Sequence, residues 1–159
     1  MNPEHTRLLK QLVNEHEVAA LGTLHEGAPF VSMVPYAVSA DGTDILCHVS
    51  GMASHTKDMR ASPRVCLLVI ASEEPGAPPQ GRARVSLPGT ARFVDEDSPD
   101  FEAFRRAYLD RFPAAEELFG FPDFSLVAIR PESGRFVAGF AQAFTLSAEA
   151  LATALASPR

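Results

Sequence analysis

The sequence predicts a mainly β protein, a small antiparallel barrel with helices packed around its outside. Short apolar segments separated by turn signals such as His25-Glu26-Gly27 and Asp41-Gly42 indicate antiparallel strands. A few amphipathic segments that begin at proline or serine indicate peripheral helices. The chain has 159 residues, 46% of them hydrophobic, and no repeat or linker, so a single domain over residues 1–159 is expected.

The first half of the chain begins with a helix and continues with four strands. Asn2-Pro3-Glu4 places a capping side chain, a proline and an acid at the helix start. Strands are expected over 18–24, 29–38, 44–49 and 64–71. A short helix that begins at Ser54 is expected between the last two of these strands. The 64–71 strand is nearly all apolar, which predicts burial on both faces. Cys47 and Cys66 are expected to be buried free thiols.

The second half alternates loops, strands and helices. Proline and glycine over 72–81 predict a surface loop, and 82–94 predicts a long strand with a bulge or bend at Pro88-Gly89. Helices are also expected from Ser98, over 113–119 and after Ser147, and strands over 124–130 and 134–140.

Charge and hydropathy exclude several classes of partner. The net charge is −6, and both halves are acidic, with 5 Lys+Arg against 9 Asp+Glu in 1–80 and 9 against 11 in 81–159. This balance argues against nucleic acid and against an anionic membrane surface. No apolar run approaches the roughly 20 residues of a membrane span. With a polar start, the chain is expected to be cytoplasmic.

The clearest candidate site is the run Ser54-His55-Thr56-Lys57, at a helix start after a strand. Free backbone N–H groups and the positive end of the helix dipole attract anions at such a terminus. Lys57 would add a charge and Ser54 or Thr56 a hydroxyl donor, so a phosphate is the expected ligand. The alternative is that Ser54 only caps the helix and that Lys57 is solvated.

Other polar residues leave alternatives open. Arg82 and Arg84 share one face of the long strand, where they are either solvated or turned toward a neighbouring subunit or cofactor. His48 and His55 with Cys47 resemble a metal cluster, but adjacent strand residues point to opposite faces, so no metal is expected. There is no dinucleotide fingerprint and no phosphate loop.

The order of segments from about Leu8 to Leu146 resembles the FMN-binding split-barrel family related to pyridoxamine-5′-phosphate oxidase. The matching segments are VAALGTL at 18–24, GAPFVSMVPY at 27–36, HVS at 48–50, SHTKDM at 54–59, SPRVCLL at 62–68, RVSLPG at 84–89, FPDF at 121–124 and GFAQA at 139–143. The His55-Thr56-Lys57 helix start and the Gly139-Phe140-Ala141 tail are most similar to its haem-utilisation branch.

The resemblance implies one FMN per subunit at a homodimer interface, for which the apolar residues from Phe136 to Phe144 are candidates. It implies that Ser32, Met33 and Val34 lie along the flavin. The next strand would contact the ribityl chain and phosphate through His48, Val49 and Ser50. The helix start would bind the phosphate through His55, Thr56 and Lys57, and the long strand would add a flavin contact from Arg84.

The expected function is an oxidoreductase that passes electrons from NAD(P)H through FMN to a small-molecule acceptor, with no catalytic residue singled out. The alternative is a non-enzymatic flavin- or haem-binding module that stores, shuttles or senses its ligand. The chain has no tryptophan, which argues against true pyridoxamine-5′-phosphate oxidase activity. Haem-utilising members of the family carry a further C-terminal region with a histidine ligand. Because no histidine follows His55 in this sequence, only weak haem binding is expected.

Overall fold

Nine antiparallel strands form a single curled sheet in the computed structural model, which describes residues 1–157. The strands are β1 Val18–His25, β2 Ala28–Pro35, β3 Ala37–Val38, β4 Ile45–Ser50, β5 Arg64–Ile70, β6 Arg84–Val94, β7 Phe124–Pro131, β8 Ser133–Gly139 and β9 Gln142–Ser147. The helices are α1 Pro3–Glu15, α2 Ser54–Ala61, α3 Phe101–Arg111 and α4 Ala148–Leu155, with 3₁₀ segments at Pro79–Gly81 and Pro113–Gly120.

The strand order produces a split barrel. The main path runs β2-β1-β5-β6-β7-β4-β3, and β8 and β9 extend from the first part of β6. The long strand β6 therefore pairs with β5 along one edge and with first β8 and then β7 along the other. The sheet curls until β2 comes close to β4. The predicted antiparallel split barrel with peripheral helices is confirmed.

Alternating side chains fill the inside of this barrel. The main core takes every second residue of the strands and is closed by the apolar stripes of α1 and α4. A second, smaller core lies on the opposite face of β4 and β7, under α3 and the Pro113–Gly120 segment. Tyr36 joins the main core to α1, because its hydroxyl donates to the carbonyl of Val13 at 2.7 Å.

The predicted helix starts at the two ends of the chain are confirmed. The Asn2 side chain accepts a hydrogen bond from the N–H of His5 at 2.8 Å. The Ser147 hydroxyl accepts one from the N–H of Ala150 at 3.2 Å. Each bond satisfies a backbone donor that the first helical turn leaves free. None of the helices within residues 1–157 is long and apolar enough to cross a membrane.

The prediction that β5 is buried on both faces is wrong. Its residues alternate, with Val65, Leu67 and Val69 in the core and the residues between them turned outward. Cys66 is consequently exposed, whereas Cys47 is buried as predicted, and both are free thiols. The outward residues of β5 continue an apolar surface from β1 and β2, which we call the outer sheet face: Leu24, Val31, Met33, Cys66, Leu68 and Ile70.

Three further features of the strands differ from the predictions. The strand expected over 29–38 is interrupted after Pro35 and becomes β2 and β3. β9 was not predicted; it pairs with β8 through a tight connection in which Ala141 has a φ of 59°. No bulge occurs at Pro88-Gly89, because β6 keeps a continuous register with β5 from Arg84 to Thr90. At this point β6 instead changes its partner on the other edge from β8 to β7.

Gly89 makes that change of partner possible, because a side chain would not fit there. A Cβ at this position would overlap the carbonyl oxygen of Arg130 in β7. We expect Gly89→Ala to lower the free energy of unfolding by about 2 kcal/mol, as overpacking does in other cores. Gly120→Ala is the matched control, since nothing lies within 4 Å of its added Cβ. Urea unfolding measures both, and equal stabilities would contradict the packing argument.

Candidate functional site

The start of α2 is built from hydrogen bonds within the protein. Ala53, and not Ser54, is the N-cap, and no side chain caps the helix, so the capping alternative for Ser54 is wrong. The Thr56 side chain is buried, and its hydroxyl donates to the carbonyl of Ser50 at 2.6 Å. The Ser50 hydroxyl donates to Asp123 at 3.0 Å. These hydroxyls hold the β4–α2 loop in place, while Lys57 is exposed.

A cluster of polar side chains lies between α2 and the β1–β2 hairpin, and we call it the α2 cluster: Thr23, His25, Ser32, His55 and Asp58. At its centre, the Asp58 carboxylate accepts a hydrogen bond from the Thr23 hydroxyl at 2.8 Å and one from His25 Nδ1 at 2.7 Å. His55 Nδ1 lies 3.1 Å from the Ser32 hydroxyl. The Asp58 side chain is only 5% exposed, whereas that of His25 is 47% exposed.

Charge and burial act differently on the three ionisable groups of the α2 cluster. The hydrogen bond to Asp58, helped by its charge, raises the pKa of His25. Burial lowers the pKa of His55, against the opposing charge of Asp58. Burial alone would raise the pKa of Asp58, but the hydrogen bonds from His25 and Thr23 bring it below the ordinary value. The cluster thus holds an anionic carboxylate between two imidazoles with different proton affinities.

Ser32 and His55, two of the predicted site residues, lie together in the structure. His25 and Asp58 were missed as site residues. The sequence predicts only a turn at His25 and only a helix around Asp58. No local signal joins them, because they are 33 positions apart and meet only when α2 packs on β1.

The remaining predicted site residues lie on different surfaces of the protomer. Met33 is 60% exposed on the outer sheet face, whereas its neighbour Val34 and, in β4, Val49 are buried in the main core. His48 points to the opposite face of β4, toward the second core. The physical reason is the two-residue period of a strand, which turns successive side chains to opposite faces.

The two arginines of the long strand are tied to the backbone. Arg84 donates to the carbonyl of Arg82 at 2.9 Å and to that of Gln80 at 3.2 Å. Arg82 Nε donates to the carbonyl of Ala71 at 3.1 Å. The guanidinium groups therefore brace the loop between β5 and β6, and Arg82 is not simply solvated, as one alternative had it.

His48 is a buried imidazole with an incomplete set of hydrogen bonds. It is 8% exposed and stacks on Phe119 with a centroid distance of 3.8 Å. Its Nδ1 has no hydrogen-bond partner. Burial lowers the pKa of His48 from 6.5 to about 4. The ring lines a pocket of about 170 Å³ together with Arg60 and Phe93.

Because the His48 imidazole is buried, we expect the protein to lose stability in acid. The unfolded chain takes up a proton near the ordinary pKa of 6.5, whereas the folded imidazole resists protonation until about 4, so stability falls as the pH drops through this window. Between pH 7.5 and 5.0 the effect is about 2 kcal/mol. We expect His48→Phe to remove this loss, measured by urea unfolding at the two pH values.

Cys47→Ala is the control for His48→Phe, since it alters the neighbouring strand position on the other face. It should lower stability equally at both pH values, because burial raises the pKa of the Cys47 thiol to about 12. An unchanged pH dependence in His48→Phe would show that this imidazole does not cause the acid sensitivity.

Comparison with known proteins identifies relatives that are named for haem. The chain is 43% identical over 127 residues to the chloroplastic haem oxygenase HOZ of Arabidopsis thaliana, covering 79% of this chain and 36% of the relative. It is 28% identical over 145 residues to the haem oxygenase HutZ of Vibrio cholerae, covering 90% and 81%. The solved structure of a haem-binding protein from Mycobacterium smegmatis superposes with a TM-score of 0.83 at 29% identity, covering 96% and 62%. The chain thus spans about a third of the Arabidopsis relative.

These relatives correct two predictions from the sequence. The prediction of FMN as the cofactor is wrong. The predicted main function, a flavoprotein oxidoreductase that takes electrons from NAD(P)H, is also wrong. The relatives support the alternative reading, a haem-binding protein. FMN was inferred from the wider family, whereas the helix start and the tail are most similar to the haem-utilisation branch.

The family itself is confirmed. Residues 6–138 match the model of the pyridoxamine 5′-phosphate oxidase family, which is more than half of the chain. The antiparallel split barrel described above is the fold expected of its members, and all of the predicted segments except the last, at 139–143, fall within the matched range. This chain belongs to the pyridoxamine 5′-phosphate oxidase family.

Proposed function

We propose that the protein binds haem. The observation that carries this proposal is the 43% identity to a protein named a haem oxygenase, supported by the similarity to a structure named for haem binding. The proposal replaces the expectation of weak haem binding, which rested on the position of the last histidine in the sequence.

The chemistry of the α2 cluster fits haem. Haem requires an apolar surface for its macrocycle and a nitrogen, sulfur or oxygen ligand for its iron. The cluster offers two imidazoles, His25 and His55, and the ring of Phe30, which is 41% exposed, lies beside His25. Because Phe30 pairs with Thr23 across the hairpin, it lies on the same face of the sheet as the cluster. An aromatic surface and imidazoles of the kind that ligate iron are thus found together.

Titration with hemin tests this proposal. We expect the Soret absorbance to rise to a sharp endpoint at one haem per chain, because a defined site saturates. Hen egg-white lysozyme at the same concentration, a protein without a haem site, calibrates adventitious uptake. An absorbance that rises without an endpoint would contradict haem binding at a specific site.

A second candidate function is haem degradation, which the names of the two curated relatives favour. Such a reaction consumes dioxygen and electrons from a reductant. With ascorbate in air, we expect the Soret band of the complex to disappear while a ferrous chelator detects released iron. Catalase in the assay separates this reaction from attack by free peroxide. A stable Soret band would instead support a binding or storage protein.

We also propose that the protein is a homodimer that associates through the outer sheet face. Val31 is 66% and Met33 60% exposed, and Ile70 continues this apolar surface at 40%. Contiguous apolar surface of this kind is typical of interaction sites, and a two-fold contact is the commonest way for a chain to cover it with itself. Within the contact predicted from Phe136 to Phe144, Phe136 is buried in the core, whereas Phe140 is 76% exposed and stays a candidate contact.

Val31→Glu tests the dimer. The side chain is exposed in the protomer, so the substitution should leave folding intact but place a charge inside the interface. We expect light scattering to show a dimer for the unaltered chain and a monomer for the variant. Phe121→Glu is the control, as Phe121 is 50% exposed away from this face. A dimer that survives Val31→Glu would exclude the outer sheet face as its interface.

A further inference from the structure

We propose that His25 supplies a nitrogen ligand to haem iron, and that Asp58 is the positioning residue which orients its ring. The inference rests on the proposed haem binding and deepens it by naming the ligand. His25 lies at the end of β1, beside the turn that leads to β2. Ligation from this turn needs no histidine in the later part of the chain.

The hydrogen bond to Asp58 prepares the imidazole as a metal ligand. Because a carboxylate only accepts, His25 Nδ1 carries the proton that is shared at 2.7 Å, and in the neutral imidazole the lone pair is left on Nε2. Ligating histidines almost always have such a partner on the other ring nitrogen, which fixes the tautomer and raises the basicity of the ligand. With 47% of the side chain exposed, the ring is accessible to a ligand from outside.

Asp58 is itself held in place. Its side chain is 5% exposed, and its second oxygen accepts the hydrogen bond from Thr23 at 2.8 Å. One carboxylate oxygen is therefore bound to the barrel wall and the other to His25. A buried anion with two donors cannot turn away without leaving a charge unpaired, so it keeps the imidazole in one orientation.

The surroundings of His25 suit a flat apolar ligand. The ring of Phe30 lies 5.4 Å from the imidazole, centroid to centroid, at an angle of 42°. Phe30 is 41% exposed, so it offers an uncovered aromatic surface next to the iron ligand. Burial of this surface against a macrocycle would contribute to affinity through the hydrophobic effect.

The other buried or half-buried histidines are less suited. His48 is 8% exposed and covered by Phe119 at 3.8 Å. His5 packs on Phe144 at 4.6 Å, and its Nε2 already shares a hydrogen bond with Gln142 at 3.1 Å.

Two histidines near the surface remain for comparison. His55 Nδ1 has only the hydroxyl of Ser32 as its partner, at 3.1 Å, and burial disfavours its charged form. His16 follows α1 and lines a groove of about 380 Å³, but no hydrogen bond within residues 1–157 orients its ring. Only His25 combines an exposed ring with an orienting carboxylate among the described residues.

Spectroscopy of the hemin complex of the full chain tests the assignment. We expect His25→Ala to weaken hemin binding by at least about 10-fold and to shift the Soret band, and added imidazole to restore the band of the unaltered protein. His16→Ala is the matched control and should change neither quantity. Circular dichroism confirms that each variant is folded, and His25→Gln replaces His25→Ala if the smaller side chain prevents folding.

Asp58→Asn tests the positioning role separately. This variant should keep histidine ligation but lower the frequency of the iron–histidine stretch in the ferrous complex, because a neutral amide is a weaker acceptor than a carboxylate. A purely structural role of Asp58 would leave that frequency unchanged. Thr23→Val, which removes the other hydrogen bond to Asp58, serves as a second variant if Asp58→Asn does not fold.

The outcomes distinguish this inference from the proposed function. If the unaltered chain binds hemin at one site and His25→Ala has the same affinity and Soret band, His25 is not the ligand and haem binding stands. If the unaltered chain shows no saturable binding, the proposed function fails and the ligand assignment fails with it.

Discussion

The structure depends on the alternation of side chains across a single curled sheet. Each strand sends every second residue into the barrel and the others outward, so a strand such as β5 has one face in the core and one on the surface. This constraint separates the buried Val49 from its neighbour His48 and the exposed Met33 from Val34. The same alternation produces the outer sheet face, because β2, β1 and β5 are neighbours whose outward residues are largely apolar.

A second constraint acts where the sheet meets α2. The Asp58 carboxylate is buried and retains its charge through hydrogen bonds from Thr23 and His25, which tie the β1–β2 hairpin to the helix. At the helix start for which the sequence predicts a phosphate site, the hydroxyls of Thr56 and Ser50 are used in hydrogen bonds within the protein. What this junction of sheet and helix presents to a ligand is imidazole and aromatic surface, which are suited to haem.

Several features could be predicted because their causes are local. Asn2 and Ser147 cap helices through bonds that span three residues, and Glu26-Gly27 forms a turn in which both residues have positive φ, 51° and 82°. Predictions failed where a residue's surroundings come from distant strands. The apolar run of β5 was expected to be buried, but one of its faces belongs to the outer sheet face. Pro88-Gly89 predicted a bulge or bend, but β6 has no bulge there and instead changes its partner on one edge from β8 to β7.

The sequence by itself determined the helix starts, the hairpin turns, the antiparallel class and the order of segments that identifies the family, because these follow from short-range backbone preferences and side-chain periodicity. It also placed Ser32 and His55 among the site residues. Only the tertiary structure decided that His25 and Asp58 meet, that Thr56 faces inward and that Cys66 faces outward. The physical reason is that these contacts join residues far apart in the chain, and the curvature of the sheet sets which of them come within hydrogen-bonding distance.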